Sequence, residues 1–220
     1  MEEEKYREIA KQLRKPSGTD SAEVAHIMNK GNELLNRNTI TQLKLKSNST
    51  VVEIGMGNGK FVEELLQDSN IAKYVGCDYS LEMVTQATEL NARILKKKAV
   101  SFVHCSADLL PFLDSSIDAI FTVNTIYFWD NPTVVLAEFK RVLKNNGQLV
   151  VGLRPEYLMK NYPFVKYGFK TYSSQSVEQL FLANGLKNIE CIEIEEPDFV
   201  TEEMTIPVRS LVVSCRNNKD

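Results

Sequence analysis

Residues 51–61, Val-Val-Glu-Ile-Gly-Met-Gly-Asn-Gly-Lys-Phe, constrain this 220-residue chain more than any other stretch. Val51–Ile54 is a short apolar run carrying one acid, the pattern of the end of a buried parallel strand. Gly55, Gly57 and Gly59 then break the strand, and Phe61, Val62, Leu65 and Leu66 restart apolar spacing at a helical period. A strand that feeds a helix through alternating glycines leaves bare backbone where the two meet. Glycine accepts positive φ and lets a ligand approach the main chain. The helix start adds unpaired N–H groups and partial positive charge. Such a turn suits a small-molecule ligand with an anionic group.

The length predicts one domain with a substantial core. With 26 Lys and Arg against 29 Asp and Glu, the net charge of −3 gives no general attraction to nucleic acid or anionic membrane. No apolar run approaches the ~20 residues of a membrane span, and Met1-Glu-Glu-Glu-Lys lacks the apolar core of a signal peptide. Cys77, Cys105, Cys191 and Cys215 have no zinc-like spacing and no disulfide framework, so buried free thiols and a cytoplasmic location are expected. No metal site is expected.

Residues 2–15 are charged and helix-prone, and Pro16-Ser17-Gly18 is a break. Apolar spacing from Ser21 to Leu45 predicts one or two amphipathic helices, interrupted near Gly31. Strands are predicted at Tyr74–Asp78, Val100–Cys105, Ile117–Val123 and Gln148–Leu153, with helices at Leu81–Leu95 and Thr133–Leu143 between them. Such alternation means a parallel sheet with helices on both faces. Residues 154–172 read as irregular and rich in aromatics. A helix at Val177–Ala183 precedes two last strands, Asn188–Ile194 and Val208–Cys215, whose hairpin-like connection makes them antiparallel neighbours. Lys96-Lys97-Lys98 reads as a solvated helix end.

Asp78 closes the second strand about 20 residues beyond the glycine loop, where doubly wound nucleotide binders hold the ribose diol with an acid. Its competing role as a helix N-cap is better filled by Ser80. A dinucleotide site prefers Gly-x-Gly-x-x-Gly. Here position 60 is Lys and the third glycine falls at 59, which disfavours an NAD(P)-type oxidoreductase.

Glu53-Ile54-Gly55-Met56-Gly57-Asn58-Gly59 and Asp78 together resemble the class I S-adenosylmethionine-dependent methyltransferases. Leu110-Pro111-Phe112 with Ser116–Ile120, and the segment Glu138–Val150, resemble the strand-four and strand-five regions of the ubiquinone/menaquinone-biosynthesis-like small-molecule members, with Asn145-Asn146 in place of Pro-Gly. The resemblance covers residues 48–153 well and the rest in outline. It implies a Rossmann-like, doubly wound, seven-stranded α/β sheet, mostly parallel with an antiparallel C-terminal strand. One domain would then comprise an N-terminal helical cap (1–47), a cofactor-binding core (48–153) and a substrate-side segment with closing strands (154–220). The implied reaction is methyl transfer from S-adenosylmethionine to a small-molecule acceptor. A non-catalytic S-adenosylmethionine binder on the same fold is the other alternative. Nucleic-acid partners and membrane insertion are not expected.

The resemblance also implies residue roles. Gly55, Gly57 and Gly59 pack on the methionine part of the cofactor, and Glu53 reaches its amino end. Asp78 takes the ribose, while Tyr79 and Met83 cover the adenine. The family's adenine-contacting acid falls at Ser106 here, with Ala107 backbone and Asp108 nearby, and Val123 and Asn124 lie by the methionyl end. No compelling general base is present, and His104 reads as structural. Tyr127 is the candidate hydroxyl near the acceptor, with His26, Tyr157 and Tyr162 on the substrate side. Phe128 and Trp129 read as core.

Overall fold

The computed structural model describes residues 2–96, 99–200 and 205–219. Lys97 and Lys98 of the lysine run lie outside the described residues. Three helices come first: α1 (Glu2–Arg14), α2 (Ser21–Gly31) and α3 (Glu33–Ile40). The sheet is built from β1 (Ser49–Ile54), β2 (Ile71–Asp78), β3 (Val100–His104), β4 (Ile117–Val123), β5 (Leu143–Leu153), β6 (Lys187–Val200) and β7 (Thr205–Asn217). Between the strands lie α4 (Val62–Leu65), α5 (Leu81–Leu90), α6 (Ala92–Leu95), α7 (Pro132–Val142), α8 (Glu156–Met159) and α9 (Ser174–Ala183).

Strand order is β3-β2-β1-β4-β5-β7-β6, parallel from β3 through β5, with β7 antiparallel to both its neighbours. Alternate residues of each central strand supply two hydrophobic layers. Val52, Ile54, Val75 and Ile120 pack on one face with Phe139 of α7 and Phe181 of α9. Val51, Tyr74, Phe121 and Val150 pack on the other, with Val62 and Leu65 of α4. A strand buried on both faces has no polar side to spare, which is why β1, β4 and β5 read as near-continuous apolar runs.

Several expectations change in detail. The helix expected over Leu81–Leu95 breaks at buried Asn91, whose side-chain amide donates to the Gly59 carbonyl at 3.1 Å and the Ala87 carbonyl at 3.0 Å. The helix after the glycine loop is one turn only, so its dipole contributes little. The final hairpin runs beyond the expected strand ends, pairing as far as Val200↔Thr205, with a register shift around Pro197. Proline cannot donate to the ladder and is accommodated at such irregularities. Cys77 and Cys215 are buried as expected, whereas Cys105 is half-buried and Cys191 exposed.

The cap reaches the sheet through α3. A Cβ on Gly152 of β5 would come 2.0 Å from Thr39 Oγ1 and 3.3 Å from Leu35. Glycine is what lets the helix sit that close. Gly152→Ala should therefore destabilise the protein by ~1–3 kcal/mol, the usual cost of overpacking. Urea unfolding monitored by circular dichroism will read this as a lower midpoint at unchanged slope.

Candidate active site

The strand order reverses between β1 and β4, and ligands of doubly wound sheets bind at the carboxyl ends of strands flanking that point. A cavity of about 340 Å³ opens there. Two acids form its floor. Asp78, 8% exposed, accepts the Gly57 backbone N–H at 3.0 Å on one oxygen and the Ser80 backbone N–H at 2.9 Å on the other. Glu53, 5% exposed, accepts the Tyr74 hydroxyl at 2.5 Å. Neither carboxylate forms an ion pair among the described residues, although His104, paired with Asp78 across β2 and β3, exerts a weak opposing charge effect on it. Burial therefore dominates their protonation: it pushes Asp78 up to about 6 against the bonds from Ser80 and Gly57. Burial likewise pushes Glu53 up to about 7, with the Asp78 charge adding to the effect.

The glycine loop wraps over these acids. Gly55 takes φ +71°, and a Cβ on it would lie 2.2 Å from Thr125 Cγ2. Gly57 takes φ +58°, turns its N–H down to Asp78, and has open space where a Cβ would stand. Backbone is thus presented bare to the cavity. Gly59 faces away and packs on α5, where a Cβ would sit 3.2 Å from Ala87.

The N-terminal helices form a roof. Ser80 Oγ caps α5 by accepting the Met83 N–H at 3.3 Å and donates to the Pro16 carbonyl at 2.6 Å. Asn29 donates to Asn58 in the glycine loop at 3.0 Å, and Asn124 donates to Asn32 at 2.9 Å. Arg14 pairs with Asp130 at 2.9 Å, an exposed contact that orients more than it stabilises.

Eleven of the expected site residues line this one cavity: Glu53, Gly55, Gly57, Asp78, Tyr79, Met83, Ser106, Ala107, Asp108, Val123 and Asn124. Ser106 and Asp108 are exposed on its rim, with the Ser106 carbonyl bound by the Leu109 N–H at 3.2 Å. The others need correcting. Gly59 belongs to the α5 contact. His26 is exposed on α2, whose cavity-facing positions are Met28 and Asn29. Tyr127 is buried outside the lining, and its hydroxyl accepts the Arg154 N–H at 2.5 Å; burial raises its pKa well above the ordinary tyrosine value, so it is no base. Tyr157 is exposed and bonded to Glu193, and Tyr162 stacks on Phe164 at 5.4 Å. Phe128 and Trp129 pack on the core as expected, Trp129 edge-on to Phe139 at 5.5 Å, and they also line the cavity, as do Asn29, Asn32 and Asn36. The asparagines were visible as an i, i+3, i+7 face; Arg14 carried no such signal.

Residues 52–151 match the family described as Methyltransferase domain. Protein MJ1123 of Methanocaldococcus jannaschii is 31% identical over 172 residues, covering 74% of this chain and 77% of its own length. YdaC, a Bacillus subtilis methyltransferase, is 28% identical over 130 residues, covering 59% of this chain and 70% of its own length. Among solved structures, a chain of the complex between the Haloferax volcanii Trm112 methyltransferase activator and a methyltransferase superposes with a TM-score of 0.75 at 19% identity, covering 96% of this chain and 98% of that one. The chain belongs to the class I S-adenosylmethionine-dependent methyltransferases. S-adenosylmethionine is accordingly its cofactor, and the oxidoreductase alternative falls away. The chemistry of the site fits that molecule. The molecule carries an ammonium, a sulfonium and a ribose diol that donates hydrogen bonds, and the methyltransferase floor offers two buried carboxylates in no ion pair among the described residues.

A pH dependence follows. Both folded-state values lie above the ordinary carboxylate range, so these acids make the free methyltransferase more stable as pH falls through about 7 and about 6. Accepting hydrogen bonds from an ammonium or a ribose diol is strongest with them ionised and runs the other way. Calorimetric affinity for S-adenosylmethionine should be full near pH 8 and weaken progressively below about pH 7. Glu53→Gln should remove the upper part of that dependence.

Proposed function

We propose that this methyltransferase methylates a small-molecule acceptor held between the acid floor and the helical roof, in the cytoplasm. The observation that carries the reading is the pair of buried carboxylates, Glu53 and Asp78, in no ion pair among the described residues, beside the bare Gly55–Gly57 backbone. Asp78 would hold the ribose diol with the lone pairs not used by Gly57 and Ser80. Glu53 would hold the ammonium. Tyr79 and Met83 would cover the adenine, with Ser106–Asp108 at its edge.

Bound there, S-adenosylmethionine supplies a methyl group made electrophilic by the attached sulfonium. The chain's own task is alignment and exclusion of water, which together account for much of the acceleration in an in-line displacement. The bonds at Pro16, Asn58 and Asn124 fasten the N-terminal helices over the cavity, an arrangement that favours a compact acceptor over a macromolecule. Phe128, Trp129 and Val135 offer it an apolar wall. The described lining holds no histidine or lysine, and its carboxylates outside the floor, Asp108 and Asp130, are exposed to solvent. An acceptor already nucleophilic at neutral pH is favoured, its proton passing to solvent after transfer.

Asp78→Ala should weaken S-adenosylmethionine binding by about tenfold or more, the worth of a charge-assisted hydrogen bond, while turnover of labelled methyl groups falls in parallel. Unchanged affinity in calorimetry would place the ribose elsewhere and overturn the assignment.

A further inference from the structure

Asn29, Asn32 and Asn36 share one helical face across the α2–α3 junction, and all three line the cavity. Each has one amide atom fixed by the protein and the other without a partner among the described residues. Asn36, 8% exposed, gives its Nδ2 to the Asn32 carbonyl at 2.9 Å, leaving Oδ1. Asn29 gives its Nδ2 to Asn58, also leaving Oδ1. Asn32 takes the Asn124 Nδ2 on its Oδ1, leaving Nδ2.

That last orientation is dictated from below. The Arg154 backbone N–H donates to the Tyr127 hydroxyl at 2.5 Å. The hydroxyl proton then goes to Asn124 Oδ1 at 3.0 Å, closer than the Arg154 carbonyl at 3.2 Å. With its oxygen so engaged, Asn124 turns Nδ2 toward Asn32. A backbone N–H thus sets the direction of three groups in series.

The cluster is anchored to Asn58 of the glycine loop and to Asn124 at the end of β4. Asp78 and Ser106–Asp108 form the nucleoside side. Two carbonyl oxygens and one amide N–H₂, with no net charge and Glu53 in the same cavity, suit a zwitterion: ammonium to the oxygens and Glu53, carboxylate to Asn32 Nδ2. The one cationic side chain of the described lining, Arg14, is engaged with Asp130 and Tyr79. We propose that Asn29, Asn32 and Asn36 form a neutral amide clamp for the amino-acid end of the methyl donor, with Tyr127 as the positioning residue that orients it. This rests on the donor reading given above.

Two probes separate the ends of the donor: S-adenosylhomocysteine, which carries the amino-acid tail, and 5′-deoxy-5′-methylthioadenosine, which lacks it. In calorimetry, Asn32→Ala and Asn36→Ala should each weaken S-adenosylhomocysteine about tenfold, the effect of losing a hydrogen bond to a charged group, and leave methylthioadenosine unchanged. Tyr127→Phe should show the same split with a smaller loss. The unchanged methylthioadenosine affinity doubles as evidence that the variants fold. Wild-type affinity for S-adenosylhomocysteine in Asn32→Ala and Asn36→Ala overturns the clamp, and so does an equal loss for both ligands. A wild-type protein that binds neither probe refutes the donor reading itself.

Discussion

Most of the site hangs on the two hydrogen bonds that Asp78 accepts from backbone. One draws the glycine loop, through Gly57, onto the end of β2. The other fixes Ser80, which in turn caps α5 and holds the N-terminal segment through the Pro16 carbonyl. A single buried carboxylate therefore joins β1, β2, α5 and the roof. Such bonds to a charged acceptor are worth more than neutral ones. They are what makes it tolerable to bury the charge here outside any ion pair among the described residues. The site is held ready by the same atoms that its ligand would use.

The roof has a second anchor at the far end of the sheet. Arg154 follows β5 and forms a buried ion pair with Glu196 of β6, their side chains 11% and 5% exposed. The same guanidinium donates to the Arg209 carbonyl at 3.0 Å and the Gly31 carbonyl at 3.0 Å. Glu196 also takes the Ser210 hydroxyl. Such a pair is a poor source of net stability, because desolvation offsets most of its attraction, but breaking it leaves a buried charge. Its structural consequence is geometric: the long hairpin, β5 and the α2–α3 junction are forced into one arrangement, and Tyr127 and Asn124 are set by the Arg154 backbone within it.

What could be read from residues alone follows the range of the interactions. The glycine loop, Asp78 and the Ser80 cap are local patterns whose geometry lies within a few residues, and the strand–helix alternation carried them into the right places. Tyr127 reads as a pocket residue from its place after the fourth strand, and Tyr157 and Tyr162 do so from their aromatic character. Their fates depend on Arg154, Glu193 and Phe164, contacts that no local pattern encodes. Phe128 and Trp129, around the 3-10 turn at Ile126–Phe128, serve core and cavity at once: Trp129 packs on Phe139 and Phe128 on Phe169 while both reach the lining. The Asn29, Asn32 and Asn36 face was legible as a period. Only the partner of each amide shows which atom is left for the cavity.

The acid floor and the amide roof divide the electrostatic work. Charge is placed below, in strands, where burial raises the cost of leaving it unpaired and so would sharpen the preference for a ligand that donates hydrogen bonds or carries positive charge. The groups proposed to meet both signs of the donor's tail are neutral and placed above, on helices tied down by single side-chain bonds. Methyl transfer removes the sulfonium charge while leaving the tail zwitterionic. The attraction lost on turnover is therefore that between the floor and the reacting centre, and the roof contacts would be indifferent to it. Donor would be held more tightly than product by the floor carboxylates alone, a difference set by Coulomb attraction at low effective dielectric and felt only while those acids are ionised.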